Sequence, residues 1–331
     1  MMKRMFASLT LAGAAWAAMG TGAMAGGADP GSLLVYPCYD NRIGTLSVIS
    51  VVNTSSAGPI AVEFIYINGD TCLEFNRSVL LTPKDIFTAV TRNHNPASDQ
   101  GYVYAFAKSP TTGQAVAWDH LAGAMSVHTG LDQLSYEVLP FVFKSGFKGR
   151  GNEGMPTDLD GDNLRDLDGN EYEKAPDRVV IPQFLGNGNL FGLNVTGHLV
   201  VLGLTGIRHT TIINFAIYND NEEMFSSQLS FDCWDKVRLR DITNAFRDSF
   251  LVSTNQNPLE VQGLTEEVGW YEMDGSVAFS TVHQVSDPAF LAMQIQEIGV
   301  LRSQAAARAF MIDRQDNGAL LSTSIFGDPD P

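Results

Sequence analysis

The residue types best suited to chemistry lie in one acidic segment near the middle of the 331-residue chain. From Asp158 to Asp166 the sequence reads DLDGDNLRD, so carboxylates occupy positions 1, 3, 5 and 9. A hard divalent cation such as Ca²⁺ takes six to eight oxygen ligands at short range, and carboxylates on alternate residues of a tight turn supply them. Gly161 allows the backbone to bend sharply. The segment therefore predicts a calcium site.

The expected ligands are these four carboxylates, the backbone carbonyl at position 7 and a further acidic side chain. We assign them to Asp158, Asp160, Asp162, Leu164, Asp166 and Asp168, with Glu171 as the alternative closing ligand. The segment resembles the aspartate-rich calcium loops of EF-hand proteins, dockerins and thrombospondin type 3 repeats. It departs from an EF-hand because Asn163 and Gly169 occupy its sixth and twelfth positions and Pro156 precedes it. A free-standing calcium loop is expected, and a solvated acidic linker is the alternative.

Other residues give weaker signals of chemistry. The six histidines form no HxH, HExxH or Cys-His zinc spacing. Asp119-His120 with Ser126 and His128 suggests part of a hydrolase site, but no GxSxG motif supports it. Adjacent residues on a strand also point to opposite faces. We therefore predict no catalytic residue.

Aromatic residues are the basis of a further alternative, a carbohydrate-binding module. Trp118, Trp234, Trp270 and Tyr271 would stack on sugar rings if they formed an exposed row. Aromatic residues in alternating strands more often belong to the core. Burial of these four side chains would therefore distinguish the two interpretations.

The charge of the chain excludes some partners. It carries 21 basic and 37 acidic residues, which gives a net charge of −16. Such a chain is poorly suited to a nucleic-acid backbone or an anionic membrane surface. We expect no nucleic acid and no integral membrane segment, but an unidentified protein or glycan partner, with self-assembly as an alternative.

The first 25 residues have the three-part layout of a secretory signal peptide. Lys3 and Arg4 precede an apolar run from Phe6 to Met19, and Ala23-Met24-Ala25 provides a small-x-small cleavage site. The expected location is therefore extracellular or at the cell surface, with the periplasm as an alternative.

Export affects how the three cysteines are interpreted. In an oxidising compartment one pair is expected to form a disulfide. Cys38 and Cys72 are the expected pair because both lie in the first half of the chain. Cys233 then remains either a buried free thiol or the site of an intermolecular bond.

The elements that must position the acidic segment are predicted to be strands. Leu46–Val52 and Ile60–Ile67 alternate β-branched or aromatic residues with small or polar ones, and Asn68-Gly69 provides a turn. Strands at about ten-residue intervals indicate an antiparallel sandwich or barrel. Val300–Met311 is the one predicted helix, because it is rich in Ala, Leu, Arg and Gln.

The second half of the chain is predicted to repeat the first. Five anchors recur in the same order: Pro37 with Pro182, Ser47–Asn53 with Thr211–Asn219, Cys72 with Cys233, Asn95-Pro96 with Asn257-Pro258, and Gly101-Tyr102 with Gly269-Trp270. The offset grows from 145 to 166 residues after the first anchor, which we assign to a hairpin inserted near 186–206.

These observations predict an all-β fold with two tandem, related antiparallel β-sandwich domains of immunoglobulin-like type. The expected divisions are a signal peptide at 1–25, a first sandwich at 26–145, an acidic inter-domain loop at 146–177 and a second sandwich at 178–331. Composition leaves open whether 146–177 is a linker or a long functional loop.

The first half also resembles exported bacterial β-sandwich proteins of uncharacterised function. The resemblance covers about residues 31–107, through an aromatic-Pro pair, a T-L-x-S-V-x-N-T strand and an L-T-P-x-D turn. The matching residues are Tyr36, Pro37, Thr45, Leu46, Ser47, Val48, Asn53, Thr54, Phe64, Leu81, Thr82, Pro83 and Asp85. It implies export and a sandwich fold, and it transfers no catalytic residue. The expected function is structural, adhesive or binding, stabilised by calcium, with a secreted hydrolase or lyase as the main alternative.

Overall fold

The computed structural model describes residues 29–129, 134–146, 152–190, 193–206, 209–254, 268–281, 283–299 and 303–321. Two predicted features lie outside these residues: the signal peptide at 1–25 and the anchor at 257–258. Within the described residues, no helix has both the length and the apolar character needed to cross a membrane.

The first half of the chain consists of nine strands and one helical turn. The strands are β1 Leu33–Asp40, β2 Thr45–Asn53, β3 Ile60–Asn68, β4 Glu74–Leu81, β5 Ile86–Val90, β6 Gln100–Lys108, β7 Leu121–Thr129, β8 Leu134–Val138 and β9 Phe141–Phe143. The helical turn α1 spans Thr91–His94, between β5 and β6.

The remainder of the described chain begins with the short strand β10, Arg165–Leu167. It continues with β11 Pro176–Leu185, β12 Gly188–Leu190, β13 Leu193–Gly203, β14 Thr210–Asn219, β15 Met224–Phe231 and β16 Trp234–Arg238. Two helical turns, α2 Leu239–Ile242 and α3 Asp248–Leu251, flank a 3₁₀ turn at Asn244–Phe246. The last strands are β17 Val268–Phe279, β18 Gln284–Ser286, β19 Phe290–Ile298, β20 Ser303–Arg308, β21 Phe310–Arg314 and β22 Gly318–Leu320.

These strands form four large sheets, which we number 1 to 4. Sheet 1 has the order β5-β2-β7-β8, and sheet 2 has the order β4-β3-β6-β1-β9. Sheet 3 has the order β12-β13-β19-β20, with β16 also paired to β13. Sheet 4 has the order β15-β14-β17-β11-β21, with β18 on β17, and β10 and β22 form a separate two-stranded ribbon.

The predicted all-β class is confirmed, but the prediction of two tandem immunoglobulin-like sandwiches was wrong. The four sheets are arranged as a four-bladed β-propeller. One core cluster contains residues of sheets 1 and 2 together with residues of sheet 3, so the hydrophobic core crosses from one half of the chain to the other. A second cluster lies between sheets 3 and 4.

Sheet 3 explains why two separate domains do not form. Leu199 and Val201 of β13 lie in the cluster shared with sheet 4, whereas Val200 and Leu202 lie in the cluster shared with sheets 1 and 2. Because successive side chains of a strand point to opposite faces, both faces of this sheet are buried. A strand buried on both faces has a continuous apolar sequence, as Leu199–Leu202 does.

The two halves nevertheless repeat one strand order. The path β4-β3-β6-β1-β9 of sheet 2 has the same form as the path β15-β14-β17-β11-β21 of sheet 4. The register of β1 against β6 shifts between Tyr36 and Tyr39, and that of β11 against β17 shifts between Ile181 and Phe184. Pro37 and Pro182 occupy these irregularities, because proline cannot donate a ladder hydrogen bond.

Two other parts of the predicted repeat need correction. Ser47–Asn53 lies in β2, whereas Thr211–Asn219 lies in β14, which takes the place of β3 in the strand order. The predicted insertion at 186–206 contains β12 and β13, and β13 takes the central place that β2 has in sheet 1. Sequence similarity between β-rich segments therefore aligned strands from different positions.

The predicted helix at Val300–Met311 was also wrong. The described part of this segment forms β20, paired with β19, and the start of β21, paired with β11. Tertiary pairing outweighs the helix preference of its alanines, which amounts to only a few tenths of a kcal/mol per residue.

The disulfide joins Cys72 to Cys233, so the predicted Cys38–Cys72 bond was wrong. Cys38 is a free thiol buried in the core, with its Sγ 3.9 Å from the Tyr136 hydroxyl oxygen. Next to the disulfide, the Trp234 indole Nε1 donates to the Pro37 carbonyl oxygen at 2.8 Å. These contacts link the two halves across 161 residues of sequence.

We predict that Cys233→Ser lowers the free energy of unfolding by about 2–5 kcal/mol, because it opens a long closed loop. Non-reducing peptide mapping should recover Cys72 and Cys233 in one linked pair, with Cys38 alkylated only after denaturation. Cys38→Ala is the matched control and should leave that linked pair intact. A recovered Cys38–Cys72 pair would contradict this assignment.

His94 is enclosed by aromatic side chains between sheets 1 and 2. Its ring centroid lies 5.2 Å from that of Phe64 and 5.0 Å from that of Phe87, and its Nδ1 lies 2.9 Å from the Tyr66 hydroxyl oxygen. Burial, reinforced by the charge of Arg77, lowers the pKa of His94 to about 4.

We predict that His94 makes folding less favourable as the pH falls from about 7 to about 4. The unfolded chain, in which the histidine pKa is about 6.5, binds the proton first. His94→Gln should remove this part of the pH dependence while costing about 1 kcal/mol at pH 7 from the lost contacts. Urea unfolding at several pH values measures both effects, and His128→Gln at an exposed position is the control. Parallel profiles for His94→Gln and the parent protein would refute the prediction.

Candidate metal centre

The acidic segment is anchored to both halves of the chain. Bridges pair Pro156 with Val116 and Tyr172 with Ser145 of the first half. The strand β10, within the same segment, pairs with β22 at the end of the described chain. The predicted inter-domain loop is therefore packed at the joint between the halves.

Three short turns shape the loop. The Asp158 Oδ1 accepts a hydrogen bond from the Gly161 amide at 2.8 Å, and the Asp162 Oδ1 accepts one from the Leu164 amide at 2.7 Å. The Asp162 amide itself donates to the Asp160 Oδ1. Gly161 and Asn163 have φ angles of 85° and 62°, a region that glycine and asparagine tolerate best.

These turns bring the carboxylates into two groups that share Asp160. One group contains Asp158, Asp160 and Glu171, and the other contains Asp160, Asp162 and Asp166. Within each group, one ligand oxygen from each residue lies within 4.8 Å of the others. Calcium binds oxygen at 2.3–2.6 Å, so ligand oxygens around one ion lie up to about 5 Å apart. The spacing therefore suits a calcium ion.

Glu171 is the most buried carboxylate of the cluster, with 3% of its surface exposed. Its carboxylate accepts hydrogen bonds from the backbone amides of Leu159 and Asp166. Because these donors come from opposite ends of the loop, Glu171 holds the loop closed.

Arg165 offsets only part of this negative charge. It is buried, its guanidinium lies 5.0 Å from the centre of the Phe106 ring, and its Nη2 lies 3.4 Å from the Asp158 Oδ2. Its Nη1 has no hydrogen-bond partner among the described residues. One arginine against five carboxylates leaves the cluster strongly negative.

Raised pKa values show that the charged forms of two of these carboxylates are disfavoured in the cluster. Burial, reinforced by Asp162, Asp160 and Asp168, raises the pKa of Asp166 to about 7. Burial likewise raises the pKa of Glu171 to about 7 despite its two amide hydrogen bonds. A divalent cation would stabilise the charged forms and displace these protons.

The structure groups most of the predicted ligands, but not all of them. Asp158, Asp160, Asp162 and Asp166 belong to the two groups, and Glu171 takes the place assigned to Asp168. The Asp168 carboxylate instead accepts hydrogen bonds from the amides of Asn170 and Glu171. The role of the Leu164 carbonyl stays a prediction.

The residues considered for a hydrolase site do not converge. The Ser126 hydroxyl lies 2.9 Å from the His128 Nε2 on an exposed part of β7. Asp119 instead accepts hydrogen bonds from Ser32 and Ser145, and His120 pairs with Glu153. A catalytic triad is therefore not formed by these residues.

The four aromatic residues considered for sugar stacking do not form an exposed row. Trp118, Trp234 and Tyr271 are buried. Trp270 is 37% exposed and stacks on Tyr218, with 4.3 Å between ring centroids. This outcome matches the core interpretation for three of the four.

Comparison with known proteins assigns no function to this site. No family model matches the sequence. No curated protein matches it at a significant level.

We predict that calcium binding depends on Asp160, because both carboxylate groups include it. Asp160→Asn should weaken calcium binding roughly tenfold or more in isothermal titration calorimetry at pH 7.5. Asp168→Asn removes the same charge from the same loop and should leave the affinity nearly unchanged. Equal losses in the two variants would show that overall charge, not the two groups, determines binding.

Proposed function

We propose that this is an exported, non-enzymatic structural, adhesive or binding protein of the cell surface or extracellular space, stabilised by calcium. The observation that carries the proposal is the position of the carboxylate cluster. Asp158, Asp160, Asp162, Asp166 and Glu171 lie in the segment that contacts both halves of the chain. An ion there would fix the joint between the halves.

Two features support export. The first 25 residues have the layout of a signal peptide. The disulfide between Cys72 and Cys233 fits an oxidising compartment, where such bonds persist. Extracellular fluids often hold calcium at about millimolar concentration, so a site with a dissociation constant of only 10⁻⁴–10⁻³ M would be roughly half to nine-tenths occupied.

The geometry gives less support to the other two functions. A hydrolase would need an activated nucleophile, and Asp119, His120, Ser126 and His128 do not assemble one. A carbohydrate-binding module with an aromatic platform would need a row of exposed rings, and Trp270 with Tyr218 provides one pair. A stabilising role for calcium uses the residues that the structure does bring together.

We predict that calcium at 100 times its dissociation constant stabilises the folded protein by about 2.7 kcal/mol, or about 5 °C in melting temperature. Differential scanning fluorimetry with calcium or with EDTA measures the shift. Limited proteolysis should show that calcium protects the peptide bonds of residues 158–168. Magnesium is the control and should protect less, because it prefers a smaller, octahedral shell.

Asp160→Asn should lose both the shift and the protection, whereas Asp168→Asn should keep them. Binding of calcium without either effect would show that the ion does not stabilise the joint, and the proposed role would then be wrong.

A further inference from the structure

A polar cleft opens where sheet 3 meets the first half of the chain. Two adjoining cavities of about 470 and 360 Å³ share His198, Arg238 and Glu297 in their walls. Pockets of a few hundred Å³ are typical of small-molecule sites. The lining of the cleft includes none of the residues of the carboxylate cluster.

The strand register of sheet 3 determines what faces the cleft. His198 of β13 is paired with Arg238 of β16, and Thr196 is paired with Glu297 of β19. Val200 lies two residues beyond His198, on the same face, and belongs to the core cluster shared with sheets 1 and 2. The cleft is thus the polar end of an interface whose other end is apolar.

Two cations in this cleft have no partner among the described residues. Within the part of the chain that the structure describes, the side chains of Lys236 and Arg238 make no hydrogen bond or ion pair. Arg42, by contrast, is paired with Asp40 at 2.7 Å. Two unpaired cations in one cleft are unusual in this chain, because its 37 acidic residues outnumber its 21 basic ones.

The acids of the cleft do not neutralise these two cations directly. The Glu297 Oε1 accepts a hydrogen bond from the Gln304 Nε2 at 2.6 Å, and it lies 3.9 Å from the His198 Nδ1. Asp70 and Asp235 also line the cleft, and neither forms an ion pair with Lys236 or Arg238 among the described residues.

Among the described residues, two buried polar atoms in the wall of the cleft are also without hydrogen-bond partners. They are the Nδ1 of His198 and the Oε1 of Gln304. Buried polar atoms in folded proteins are nearly always satisfied, so each of these calls for a partner. A hydroxyl group can donate to one such atom and accept from another.

A metal ion is a poor candidate for this partner. Burial lowers the pKa of His198 to about 4, and the charges of Lys236, Arg238 and Arg240 add to this effect while that of Glu297 opposes it. The same three charges would repel a cation. An anionic group, by contrast, would pair with Lys236 and Arg238.

We infer that this cleft binds a small hydroxylated carboxylate, such as a single uronic acid unit. Its carboxylate pairs with Lys236 and Arg238, and its hydroxyl groups satisfy His198 and Gln304 once these two side chains turn toward the cleft. The inference names a ligand class for the binding role proposed above, and it does not depend on the calcium site.

The test is titration calorimetry of the whole protein with sodium glucuronate, with glucose as the uncharged probe of the same size. Glucuronate should bind, and its affinity should fall with added NaCl because the contacts are ionic. Glucose should bind at least tenfold more weakly. Equal binding of the two sugars would overturn the inference. So would the absence of glucuronate binding at 10 mM, which is roughly the weakest affinity that would matter for a site of this size.

Variants then locate the site. The double variant Lys236→Gln, Arg238→Gln should lose glucuronate affinity roughly tenfold or more, with no loss of melting temperature because neither side chain has a partner to lose. Lys174→Gln, outside the cleft, is the matched control. Unchanged glucuronate affinity in the double variant would also overturn the inference. Asp160→Asn should keep the affinity, so failure at the calcium site and failure at the cleft are distinguishable.

Discussion

The double burial of sheet 3 is the constraint on which the rest of the structure depends. Leu291, Met293 and Ile295 of β19 join Val200 and Leu202 in the core cluster shared with sheets 1 and 2. Complete burial of five such side chains contributes on the order of 10 kcal/mol, an upper estimate because the unfolded chain already buries part of this area. The Cys72–Cys233 disulfide contributes less, about 2–5 kcal/mol. The apolar interface, rather than the covalent bond, therefore holds the halves together.

This interface determines where functional groups can lie. Its apolar part excludes water, and its polar end forms the cleft around His198. At another part of the joint, residues 152–175 connect the first half to β22 through short bridges and β10. A protein with two independent domains would have neither site in this form, because both depend on contacts between the halves.

Local features were predictable from the sequence because they depend on neighbouring residues. The strands at Leu46–Val52 and Ile60–Ile67 follow from alternation, and the grouping of Asp158, Asp160, Asp162 and Asp166 follows from their spacing. Long-range features were not predictable in this way. The partner of Cys72, the strand pairing of 303–308 and the second buried face of sheet 3 each depend on residues distant in sequence. A continuous apolar run such as Leu199–Leu202 was the available signal for that second face.

The central claim is that the two halves share one core, and calorimetry tests it most directly. Differential scanning calorimetry of the intact chain, with the disulfide reduced, compares the calorimetric with the van't Hoff enthalpy of unfolding. A single transition with a ratio near one is predicted, because unfolding of either half exposes a buried apolar face of the other. Two transitions, or a ratio near two, would show that the halves unfold independently and would contradict the account.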